Sequence, residues 1–269
     1  MRKSLLLILA VGTALSLMAS VASAQTYQTP YYPTPTVDPD CVTGTSPGVS
    51  CDRLPGGGLR ITGTSGNDTI VGTTADDIID GGGGNDTING CGGSDTINGN
   101  TGNDRISGDA CGTAAAAGAA VHAAQAQGTP GADSLSGGTG NDRIRGNGGN
   151  DKINGNGGND TLGGDAGKDR VTGSTGNDTA SGGSSNDVVS GQGGNDKLNG
   201  NAGKDSVSGG AGKDRVSGSS GNDKLGGGSG NDSLSGGSGK DSLKGDSGND
   251  KLNGGSGNDV LRGGPGRDA

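Results

Sequence analysis

The apolar positions of this chain are sparse and evenly spaced. From Ile70 one large aliphatic residue recurs every nine positions, at Ile79, Ile88, Ile97 and Ile106, then from Leu135, Ile144, Ile153, Leu162 and Val171 to Leu261. Ala180 is the one weak member. The residue on each side is mostly polar. One inward side chain between two outward ones predicts a three-residue strand. The six residues between strands are too rich in glycine for a helix, and glycine at fixed places allows the positive φ that tight turns need. Two nine-residue units make one coil, and coils stack about 4.8 Å apart through parallel ladders. The expected fold is all-β: parallel strands stacked as a solenoid of about ten 18-residue coils over residues 59–269.

The polar positions keep the same register. An aspartate stands at Asp68, Asp77, Asp86, Asp95 and Asp104, and again at Asp133, Asp142, Asp151, Asp160, Asp169, Asp178, Asp187, Asp196, Asp205, Asp214, Asp223, Asp232, Asp241, Asp250, Asp259 and Asp268. These are 21 of the 29 acidic residues, and the chain has no Glu. Five residues before each there is a Gly, from Gly63 to Gly263. Two residues before there is again a Gly, except at Ala75 and Ser185, and Asn is commonest immediately before. The unit is G-x-x-G-N-D-x-L-x.

Stacking such units places equivalent aspartates, such as Asp142 and Asp160, one above another in columns along the turns. At roughly 5 Å each adjacent pair repels by about 1 kcal/mol even in water. The composition offers little to oppose this: hydrophobic residues are 26% of the chain, with no Phe and no Trp, while Gly numbers 64 of 269. A counter-ion is therefore expected. Calcium takes six to eight oxygen ligands, which carboxylates and turn carbonyls supply. Without calcium the chain is expected to be disordered. The 21 aspartates are the candidate calcium ligands.

The segments GGSGND at Gly227–Asp232 and GGSGNDVL at Gly254–Leu261 resemble the haemolysin-type, or RTX, calcium-binding nonapeptide. The resemblance spans about residues 63–110 and 128–268. It implies a parallel β-roll, that is a right-handed β-solenoid stabilised by calcium, with the ions held between successive turns by the motif aspartates and main-chain carbonyls, and folding driven by calcium after export. Two departures stand out. Members often carry a catalytic, pore-forming or adhesive module before the repeats, and none is recognisable here. Many leave the cell by a C-terminal signal, whereas an N-terminal one is expected here. The last unit stops at Ala269 without its aliphatic residue, which reads either as a fragment or as a fraying coil.

Residues 1–24 read as a secretory signal peptide: Arg2 and Lys3, an apolar stretch from Leu5 to Met18, then Ala22-Ser23-Ala24. Removing them shifts the formal charge from −9 to −11, since two cations go. The expected location is secreted and extracellular. Residues 25–58 are a Pro-rich linker. Four cysteines suit an oxidising compartment; Cys41 and Cys51 are expected to pair, and Cys91 with Cys111. For the second pair, unpaired or intermolecular thiols are the alternative. Residues 109–130 interrupt the register as an Ala-rich insertion of a short helix or a loop, and deleting 20 residues restores the period.

Enzyme chemistry finds few residues to work with. His122 is the one histidine and lies in the insertion, so no zinc-protease motif can be built, and with no Glu in the chain there is no glutamate acid/base pair. An acidic chain whose roll has no aromatic stacking residues does not suit nucleic acid. An outward Thr ladder able to order ice is broken, since the position two before the Asn or its equivalent is Thr only at Thr74, Thr101, Thr139 and Thr175. Lys168, Arg170, Lys204, Lys213 and Arg215 flank motif aspartates, either as charge balance or to bind a cell-surface or matrix polysaccharide. No segment after the signal is long and apolar enough to span a membrane. The expectation is a secreted, non-enzymatic protein that binds several calcium ions and folds on binding them. The alternatives are a structural or adhesive surface protein, a fragment of a larger RTX toxin or hydrolase, or a free calcium buffer.

Overall fold

The structure is a computed structural model that describes residues 48–109 and 130–269. Twenty-two strands and no helix occur among these residues. The series opens with β1 (Ser50–Arg53), β2 (Leu59–Thr62), β3 (Thr69–Val71), β4 (Ile78–Asp80), β5 (Thr87–Asn89), β6 (Thr96–Thr101) and β7 (Arg105–Ser107). It continues at nine-residue intervals from β8 (Ser134–Thr139) and β9 (Arg143–Gly148) to β21 (Lys251–Ser256) and β22 (Val260–Arg262).

Successive strands alternate between two sheets. Even-numbered strands from β2 to β22 form one sheet, with β1 added at its end, and odd-numbered strands from β3 to β21 form the other. Apart from the antiparallel pair of β1 with β2, the pairings are parallel, between residues 18 apart within the repeats and 38 apart across the insertion: Ile153 lies opposite Leu135 on one side and Val171 on the other. The chain thus winds as a parallel β-solenoid of about ten turns. Ile97 pairs with Leu135 and Ile106 with Ile144, so the stack runs on across the insertion. The interior of the insertion, with His122 and the Ala-rich stretch, lies outside the described residues. At its base Asp109 accepts hydrogen bonds from the N–H groups of Gly131 and Gly148, at 3.1 and 3.2 Å.

The strands depart from expectation in length. β3, β4, β5, β7 and β22 are three residues long as the apolar spacing predicts, but most span six, with alternating burial. The second inward position is the glycine five before the next aspartate, such as Gly137 in β8. Ladder pairing skips this residue and resumes at the next two. The residue after it takes a left-handed φ in one coil after another, at Gly138, Asn147, Asn156 and Asp165 among others. Asn, Asp, Ser and Gln tolerate that conformation here, so these positions do not require glycine. The true turn is only the three residues that end at the aspartate.

The inward aliphatic residues form one continuous core. From Ile61 to Leu243 each is at most 3% exposed, Ala180 included. At the far end no strand lies beyond β22 in its sheet, and Val260 and Leu261 are 48% and 45% exposed.

Candidate metal centre

The motif aspartates turn inward at the junction of turn and strand. The nineteen from Asp68 to Asp250 are buried; Asp259 is half-buried and Asp268 exposed. The expected columns therefore exist, but inside the solenoid. Each turn is tied to the next through its aspartate. The N–H of Asp142 donates to Oδ1 of Asp160 at 2.8 Å, and that of Asp160 to Oδ1 of Asp178 at 2.8 Å. The carbonyl of Asp142 accepts from the N–H of Thr161 at 2.8 Å. Asp has the short arm this reach requires, which fits the use of Asp rather than Glu at these positions. On the outer side, the N–H of Asn159 donates to the Oδ1 of Asn141, and the N–H of Asn177 to that of Asn159. These asparagines have a structural role that the period alone does not assign; their recurrence immediately before the aspartate is its sign in the sequence.

The second carboxylate oxygen is the informative atom. In seventeen aspartates, from Asp86 to Asp250, Oδ2 is buried without a hydrogen-bond partner. A buried carboxylate oxygen left bare is costly, so each asks for an unseen partner. Its surroundings can be located through the inward glycines. A Cβ on Gly137 would lie 2.2 Å from Oδ2 of Asp142 and 2.8 Å from the carbonyl oxygen of Gly155. The same pair of oxygens recurs at Gly146, with Asp151 and Gly164, and at Gly155, with Asp160 and Gly173. A carboxylate oxygen and a carbonyl oxygen thus face one small space in coil after coil. These are hard donors, the class that suits a hard cation such as Ca2+. No three His, Cys, Asp or Glu side chains cluster among the described residues, so backbone carbonyls or water would complete any coordination shell.

Burial shapes the electrostatics. It raises the pKa of Asp95 to about 8 and those of Asp133, Asp151 and Asp187 to about 7. Asp86, Asp142, Asp178 and Asp214 rise to about 6. In each case loss of solvation is the largest cause and the backbone N–H bond opposes it. Neighbouring carboxylates push Asp142 further up, through Asp104 and Asp160. A divalent cation would reverse both unfavourable contributions.

The first two members of the register differ. Oδ2 of Asp68 accepts from the N–H and the hydroxyl of Thr64, at 2.6 and 2.9 Å. Asp77 is held likewise by the N–H and hydroxyl of Thr73, and its Oδ1 accepts from the N–H of Leu59 at 2.6 Å. Here the protein itself supplies the donors. Repeat counting treats all 21 positions alike, so it missed this cap. The threonine four residues before each aspartate was the sign.

Of the cysteines, Cys51 and Cys91 are buried and neither is a free thiol. Cys41 and Cys111 lie outside the described residues. No helix long and apolar enough to cross a membrane occurs among the described residues.

A comparison with curated proteins returns no match. A comparison with family models matches the RTX calcium-binding nonapeptide repeat, in four-copy units, over residues 62–90, 90–111, 127–162, 163–198, 199–234 and 235–269. These segments cover well over half of the chain and coincide with the stacked coils. On these grounds the chain belongs to the family of RTX calcium-binding nonapeptide repeat proteins.

Proposed function

We propose that the chain holds calcium ions between its stacked coils and folds on binding them. The observation that carries this reading is the run of seventeen buried Oδ2 atoms without partners. The ligands would be Oδ2 of the aspartates from Asp86 to Asp250, with the carbonyl oxygens of the inward glycines, and Asp259 and Asp268 at the more open end. Asp68 and Asp77 are weaker candidates because threonines already serve them. Bound calcium supplies positive charge where like charges stack, and each bound ion stabilises the fold by mass action.

The same reading places the protein outside the cell. Residues 1–24 would act as a cleaved signal peptide, 25–58 as a linker and 59–269 as the roll. Pairing of Cys41 with Cys51 and Cys91 with Cys111 would suit the oxidising compartment. Calcium is scarce in the cytoplasm, so the chain would stay unfolded until export. No catalytic role is proposed. A cell-surface or matrix polysaccharide is the proposed partner.

Far-UV circular dichroism during a calcium titration, with magnesium as control, tests the central claim. A cooperative gain of β signal in calcium alone is expected. A trace that stays disordered at several millimolar calcium would sink the proposal.

A further inference from the structure

Over residues 133–269 the two signs of charge are sorted between inside and outside. Sixteen of the eighteen aspartates there belong to the nine-residue register, and those from Asp133 to Asp250 are buried. The other two, Asp165 and Asp246, pair with Arg145 and Lys244. Fifteen Lys and Arg side chains occupy the same stretch, and all are exposed. A chain with a formal charge of −9 therefore has a basic exterior along most of its roll.

On one edge these cations line a groove. It crosses the starts of β15 (Lys197–Ala202), β17 (Arg215–Ser220), β19 (Ser233–Ser238) and β21. Lys197, Lys213, Arg215 and Lys251 line it, with the side chains of Asn231 and Asn249 between them. None of the four cations enters an ion pair with a described residue. The aspartates behind the groove are buried, and Oδ1 of Asp214 and of Asp232 is taken by a backbone N–H at 2.8 Å. Coil stacking sets the spacing: Lys197 and Arg215 are one coil apart, about 4.8 Å, and Arg215 and Lys251 two coils, about 10 Å.

We infer that this groove binds a linear acidic polysaccharide. The inference rests on the calcium reading, because metal-free Asp196, Asp214 and Asp232 set negative charge behind the groove and calcium cancels it. Four cations on three coils of a groove four coils long exceed what a small anion can use, whereas an extended chain carrying several charges meets all of them. The amides of Asn231 and Asn249 offer donors and acceptors to sugar hydroxyls. Nucleic acid is the other linear polyanion, but its bases gain affinity by stacking on aromatic side chains. The chain has no Phe or Trp, and its three Tyr all precede Pro33.

The test uses the full chain in saturating calcium at physiological salt, with heparin as the probe. Neutral dextran and single-stranded DNA are compared, and circular dichroism is recorded on the same samples. The variant K197S/K213N/R215S/K251S inserts residue types that equivalent positions already carry at Ser206, Ser233 and Asn195, so stacking should survive. K152S/K168N/R170S/K224S removes the same charge from the other edge. The expected result is heparin binding that needs calcium and falls on the order of tenfold to a hundredfold in the groove variant, with a loss below about threefold in the other. Equal loss in both variants, tighter binding of DNA, or no heparin binding by a chain that calcium has folded would each overturn the inference. If calcium leaves the dichroism unchanged, the calcium reading fails too, and the groove with it.

Discussion

At Gly155 a methyl group would meet Asp160 Oδ2 at 2.2 Å and the Gly173 carbonyl at 2.9 Å. The glycine is there because two oxygens occupy the space a side chain would need. Gly155→Ala is expected to cost about 1–3 kcal/mol and to raise the calcium concentration at the folding midpoint, read by circular dichroism and urea denaturation. Gly163 is the control, since its nearest atom lies 3.6 Å away and its φ is not left-handed. Gly163→Ala should leave stability unchanged or raise it by up to about 1 kcal/mol. The sequence showed glycine at both kinds of position. Only the folded structure separates a glycine that makes room for a carboxylate from one that does not.

At the scale of the coil, the unit of stability is a pair of stacked turns joined at the aspartate. Asp160→Asn keeps an acceptor for the Asp142 N–H and turns an amide nitrogen toward the Gly173 carbonyl. The variant should bind fewer calcium ions by isothermal titration calorimetry and need more calcium to fold. In chelator it should be no less structured than the parent. The N-terminal coil behaves differently, since Thr64 and Thr73 already satisfy Asp68 and Asp77. Thr64→Val with Thr73→Val should leave the number of bound calcium ions unchanged. It should lower stability by about 1–2 kcal/mol, the usual cost of leaving a buried acceptor without one of its donors. Unchanged stability in the double variant would show that the backbone N–H bonds suffice. The coil count, the 18-residue pairing and the 20-residue insertion were legible from the period. The six-residue strands were not, because the second inward position carries no side chain to mark it.

For the whole roll, burial sets how stability answers to pH. An unfolded Asp titrates near 3.9, whereas the buried ones rise to about 6–8, Asp142 and Asp95 marking the two ends. A raised folded pKa means the metal-free roll binds more protons than the unfolded chain. Its stability is therefore highest below pH about 4 and falls as pH rises through about 6–8. In chelator the chain is expected to gain β signal on acidification from pH 7.5 toward 4, followed by circular dichroism. With calcium the direction reverses, because the ligands must lose their protons first. Calcium release measured over the same range should increase toward acid.

The sequence by itself determined the period, the aliphatic column, the coil of two units and the recurring acid, because each is a property of spacing along one chain. The tertiary structure alone decided what the acid does. Only stacking shows that seventeen aspartates, from Asp86 to Asp250, give one oxygen to the N–H of the neighbouring coil and leave the other buried without a partner. It alone separates the threonine-capped coils from the rest, and it alone sorts the acids inside from the bases outside. Those outcomes depend on which atoms two coils bring within bonding distance, and that distance is set by the stack.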